Sequence, residues 1–152
     1  MKIKDKQLFL QDLSSRLPYG VICKDTNINV TGTLSQIGLH YDMCVLDKDN
    51  GDSESCYILN CKPYLFPLSS MTAVQENEFH FLFPSIVVKR DEYGFVDIIS
   101  KSTKDKWDDD YNYQTYLKDW KKAIQWLLKN HFDINKLIPK NLAINATGLN
   151  LY

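Results

Sequence analysis

No apolar run in the chain approaches the length of a membrane span, and none near the start is long enough for a secretory signal. Met1-Lys2-Ile3-Lys4-Asp5-Lys6 is followed only by Leu8-Phe9-Leu10, whereas a signal core needs about 7–15 apolar residues. A cytoplasmic protein without a membrane partner is the expectation. The basic excess of a dedicated nucleic-acid binder is also missing: 18 Lys and Arg stand against 19 Asp and Glu, for a net charge of −1. The six glycines are scattered singly, so no loop can cradle a phosphate with successive backbone amides. There is neither an internal repeat nor a low-complexity linker, and no cofactor-binding motif, so no cofactor is expected.

What is present suits a globular chain. Its 152 residues fit one domain, which we expect to span 1–152. Within it, 1–68 would form a helix plus a small barrel, and 69–152 a helix-hairpin-helix part packed on it. Nine Tyr, seven Phe and three Trp supply large buried areas or interface anchors, two uses that composition does not separate.

The expected fold class is α+β. Lys4 to Leu17 reads as a helix, with Phe9, Leu10, Leu13 and Leu17 on one face and Pro18 ending it. Short strand-like runs follow at 21–23, 28–37 (with a bend or bulge at Gly32), 41–46 and 55–59, and Asn50-Gly51 supplies a tight turn. One helix and four or five antiparallel strands predict a small SH3-like or Sm-like barrel. Thr72 and Gln75 stand in capping-box spacing at the start of a helix that runs to about Phe83. A hairpin is expected over 86–99, then a polar loop over 100–112. A long C-terminal amphipathic helix follows, ending at Asn130-His131 before a tail that starts at Leu137-Ile138-Pro139. Tyr113, Tyr116, Leu117, Trp120, Ala123, Ile124, Leu127, Leu128 and His131 trace its apolar face, and Lys118, Lys121, Lys122, Gln125 and Lys129 the opposite one.

Catalytic or metal chemistry finds little support in the spacing. Cys23, Cys44, Cys56 and Cys61 sit in strand-like segments, and four residues separate Cys56 from Cys61 where a zinc knuckle has two. Buried free thiols are the expectation, with no metal site. No local signature marks a Cys–His nucleophile, and Asp108-Asp109-Asp110 lacks the alternation and glycine of a calcium loop. No catalytic residue is assigned. Trp126 falls off the apolar stripe, either as an interface anchor or packed beneath the tail.

Three segments carry a resemblance: Arg16-Leu17-Pro18-Tyr19-Gly20-Val21, then Lys62-Pro63-Tyr64-Leu65-Phe66-Pro67-Leu68-Ser69-Ser70-Met71-Thr72, then His131-Phe132-Asp133 with Leu137-Ile138-Pro139. Together they resemble an uncharacterised family of small proteins found in bacterial mobile elements and phages. The resemblance implies context and no catalytic residues.

The function expected from all this is a non-enzymatic accessory or protein-interaction protein, with an unidentified protein partner or self-association. The alternative is a nucleic-acid-binding module that uses the barrel and the lysine face. Arg16, Tyr19 and Tyr64, as a shared pocket, and Trp126, Lys118, Lys122 and Lys129, as a surface, are the candidate binding residues.

Overall fold

The computed structural model describes residues 3–38, 42–90, 96–100 and 110–152, without the side chains of 3, 96, 100 and 110–116. The chain divides into two compact units: Met1–Pro67 together with His131–Tyr152, and Leu68–Asn130.

The first unit opens with α1 (Ile3–Arg16), followed by a short 3₁₀ turn, Leu17–Tyr19, in which Pro18 fits because its missing N–H costs no helical bond there. Gly20 then takes φ +64, a left-handed conformation that glycine adopts without strain. The strands are β1 (Ile22–Asp25), β2 (Val30–Gly38), β3 (Met43–Asp47), β4 (Ser53–Tyr57), β5 (Cys61–Leu65) and, from the end of the chain, β8 (Ile144–Asn145). They form one six-stranded sheet in the order β4-β3-β2-β1-β5-β8, antiparallel except for the parallel β5–β8 pair. Phe9 and Leu13 of α1 join Val21, Leu34, Leu46, Ile58, Leu65 and Leu137 in one core over this sheet.

This arrangement corrects the expected closed barrel. The edge strands β4 and β8 have no pairing with each other, and the outer edge of β5 is taken in parallel by a strand from the tail. Alternation along 21–59 reveals strands but carries no information on which edge a distant segment will cover. The sheet nevertheless curves strongly. Cys44 on β3 and Cys61 on β5 are three strand spacings apart, about 14 Å in a flat sheet, yet their sulfurs lie within 4.8 Å.

The irregularity in β2 is also displaced from its expected position. The register shifts between Leu34 and Gln36, whereas Gly32 serves a close approach. A Cβ there would stand 2.7 Å from the Asp47 carbonyl oxygen and 3.1 Å from its carbon. Backbone cannot yield as a side-chain tip does, so Gly32→Ala is expected to lower unfolding free energy by about 1–3 kcal/mol. A change below about 0.5 kcal/mol in chemical denaturation would show that β2 and β3 can separate to admit the methyl group.

The second unit contains α2 (Ala73–Leu82), β6 (Ile86–Arg90), β7 (Val96–Ser100) and α3 (Asp110–Lys129). Thr72 caps α2: its hydroxyl accepts from the Gln75 N–H at 3.3 Å, and the Gln75 side chain accepts from the Thr72 N–H at 3.0 Å. Phe79 is buried beneath the helix, with ring contacts to Phe83 at 5.1 Å and to Trp126 of α3 at 5.4 Å. β6 and β7 pair antiparallel from Ile86↔Ser100 to Arg90↔Val96. The turn expected at Asp91–Gly94 and most of the polar loop at 100–112, including Asp108 and Asp109, lie outside the described residues.

The long C-terminal helix is likewise corrected. Side chains of α3 are described from Leu117 onward, and the helix does not end the chain. His131 takes φ +58 and breaks it, and residues 131–152 return to the first unit. Ala123, Leu127 and Leu128 are buried and the four lysines face solvent, but Leu117 is 41% exposed and His131 has left the helix. The helix stops at Lys129, beside the end expected at Asn130-His131, where an L-residue in the left-handed region interrupts it.

Candidate functional site

Two buried polar groupings lie in the first unit. In one, all four cysteines point into the core: Cys23 from β1, Cys44 from β3, Cys56 from β4 and Cys61 from the start of β5. Cys44 and Cys56 are directly opposed on neighbouring strands, with sulfurs 3.2 Å apart. The sulfurs of Cys44, Cys56 and Cys61 all lie within 4.8 Å of one another, and Cys23 is buried close to Cys61. Thiols so placed share protons unequally. Hydrogen bonds from Cys44 and then from Cys61 pull Cys56 down to about 4, against burial and the nearby Asp25 carboxylate. Cys44 is pushed up, first by its bond to Cys56, and Cys61 first by its bond to Cys23. The thiols are buried on strands as expected. Linear spacing gave no sign that they meet, because curvature of the sheet creates the cluster.

The second grouping centres on Arg16. Its side chain is wholly buried, with Nε 2.6 Å and Nη2 3.1 Å from the two carboxylate oxygens of Asp12, and Nη2 donates to the Phe132 carbonyl at 2.8 Å. Asn135 Nδ2 donates to the same carboxylate at 2.8 Å. His131 stacks on Tyr152 with ring centroids 3.8 Å apart, and burial, with the Arg16 charge second, pulls its imidazole down to about 4. The Tyr152 hydroxyl donates to the Tyr64 carbonyl at 2.8 Å and accepts from the Ile22 N–H at 3.2 Å. Phe66 accepts from the Asp133 N–H and donates to the His131 carbonyl, while the Asp133 carboxylate accepts from the N–H groups of Leu137 and Ile138, both at 2.8 Å. The segments Arg16–Val21, Lys62–Thr72 and His131–Asp133 are thus joined to one another through Arg16, Phe66 and Phe132.

The candidate residues therefore separate. Arg16 is a core clamp. Tyr19 is half-buried in the 3₁₀ turn and Tyr64 half-buried on β5. A cavity of about 210 Å³ in this unit is lined by Phe9, Leu59, Lys62, Asn141 and Leu142, none of them a candidate, with Lys62 donating to Asn141 at 2.9 Å. In the second unit Trp126 is half-buried against Phe79 and donates to Glu78 at 3.3 Å, and Lys118, Lys122 and Lys129 are exposed on α3. The sequence reading missed Asp12 and the thiol cluster. Asp12 was findable: Phe9, Asp12, Leu13 and Arg16 fall at i, i+3, i+4 and i+7, so an acid and a base share the apolar face of α1.

No helix among the described residues is long and apolar enough to cross a membrane. No protein-family model, curated protein or solved structure matches the chain.

Proposed function

We propose that this is a non-enzymatic accessory protein acting through protein–protein contact, and that its contact element is the outer face of α2. One observation carries the proposal: on α2 Phe81 is 86% exposed and Val74 is 76% exposed, seven residues apart on one side, with exposed Leu82 beside them. Leaving a phenylalanine in water forgoes about 1.5–3 kcal/mol that burial would return, and apolar residues at this spacing are the anchors of helix-in-groove recognition.

The partner is a second copy of the chain. From Ala73 to Leu82 there is no Lys or Arg, and exposed Glu78 stands beside the apolar residues. The outer face of α3 carries exposed Lys118, Lys121, Lys122 and Lys129 next to exposed Leu117. Placing α2 of each copy against α3 of the other closes a two-fold pair with opposite charges facing. Glu78 already accepts from Trp126 of its own chain at 3.3 Å, so charge steers the contact more than it strengthens it. A ten-residue helix offers less than the roughly 800 Å² per partner of a standard interface, so the dimer is weak, with Kd of about 10 μM or above. The resemblance to small mobile-element proteins supports an accessory role of this kind.

Light scattering across a concentration series is expected to show reversible dimerisation that Phe81→Asp abolishes without lowering the melting temperature. A monomer at every concentration up to about ten times that Kd would refute the proposal. Dimerisation unchanged in Phe81→Asp would refute the choice of α2.

A further inference from the structure

We propose that Cys44, Cys56 and Cys61, with Cys23 as fourth donor, hold one zinc ion inside the first unit. A tetrahedral site with Zn–S bonds of about 2.3 Å has sulfur–sulfur edges of about 3.8 Å. Three sulfurs within 4.8 Å of one another, one pair at 3.2 Å, already stand on that scale. Cys23 is buried on β1 beside Cys61 and is the remaining thiol of this core.

The donors select the ion. Four sulfurs without a histidine suit a soft or borderline d¹⁰ ion and do not suit Mg²⁺ or Ca²⁺, which need oxygen ligands. Asp25 is the one buried carboxylate beside the cluster, but one of its oxygens already accepts from the N–H groups of Asn27 at 2.7 Å and Ile28 at 3.3 Å, which holds the turn after β1. All four cysteines are at most 2% exposed, so the site is closed and structural, with no position for a substrate or an activated water. Binding replaces each S–H bond by S–Zn, and the displaced protons pass to solvent, so affinity rises with pH. The ion would tie β1, β3, β4 and β5 together, across the curvature of the sheet.

The same four thiols admit a competing outcome, a cross-strand disulfide between Cys44 and Cys56, which requires loss of two electrons and two protons to an oxidant. The test begins with reduced full-length protein, purified without chelator. Elemental analysis is expected to find about one zinc per chain. The Cys56→Ser and Cys61→Ser variants should keep a small fraction of it. Cys23→Ser should weaken zinc binding by more than the roughly 10–100-fold cost of losing an outer-shell partner. Where a variant fails to fold, the wild-type chain still decides. Stripped of metal and titrated with Co²⁺, it should develop the visible absorption of a tetrahedral thiolate complex at one equivalent and lose four titratable thiols. Protein that takes up neither zinc nor Co²⁺, or whose intact mass is short of two hydrogens with no metal bound, would overturn the proposal.

Discussion

Arg16→Ala is expected to lower the unfolding free energy of the first unit by about 3–5 kcal/mol, the largest effect of any single side chain outside the thiol cluster. The pair it breaks is fully buried, with two hydrogen bonds between the guanidinium and the Asp12 carboxylate. Removing the cation leaves an ionised carboxylate in the core with Asn135 as its remaining side-chain donor, and it leaves the Phe132 carbonyl without the Arg16 donor. Arg16→Lys should fall only slightly short of alanine, because an ammonium cannot reproduce the fork. A double change, Arg16→Met with Asp12→Leu, should recover most of the loss, since no charge is then stranded. Trp120 and Trp126 both belong to the second unit, so tryptophan fluorescence follows the wrong part of the molecule. Hydrogen exchange at the α1 amides is the appropriate measurement, and a loss below about 1 kcal/mol would mean that water reaches the pair.

His131 should make the first unit sensitive to mild acid. Its folded-state pKa is about 4, depressed from 6.5 mainly by burial and then by Arg16. The depression means that the folded state excludes a proton that the unfolded chain accepts. The contribution is therefore fully present above pH 6.5 and is lost as pH falls through about 4. The full difference would amount to about 3 kcal/mol, and water at the ring edge reduces it to about 2 kcal/mol. Besides Arg16, the ring meets Tyr152, whose hydroxyl burial pushes up, so that it stays neutral throughout the acid range. His131→Phe keeps the stack and removes a buried Nδ1 that has no hydrogen-bond partner among the described residues. Its stability near neutral pH should match or exceed the wild type, and the decline between pH 6.5 and 4 should flatten. An unchanged pH profile in His131→Phe would show that His131 does not carry the acid sensitivity.

How much of this could be read from the chain depends on the range of the interaction. The buried face of α1, the Thr72–Gln75 cap and the lysine face of α3 follow from residues three or four apart, whose geometry is fixed by the helix itself. Contacts across long separations were hidden. Arg16 reaches Phe132 across 116 positions and Tyr152 reaches Tyr64 across 88. Nothing in either local pattern marks the tail as the edge strand of the first sheet. The thiol cluster shows the same limit: period-two alternation places each cysteine on the inner face of its strand, but only curvature brings β3 and β5 together. Trp126 shows a different limit: the neighbour on its side of the helix, Phe79 of α2, is not visible from α3 alone.

The central claim, that α2 of one copy meets α3 of another, is tested most directly by cross-linking an equimolar mixture of ¹⁴N- and ¹⁵N-labelled protein with a zero-length carboxyl–amine reagent. Mixed-isotope peptides should join Glu78 to Lys118, Lys121, Lys122 or Lys129, and their yield should fall with dilution and in Phe81→Asp. If every link between these helices carries a single isotope, the contacts are internal to one chain and self-association through α2 is wrong.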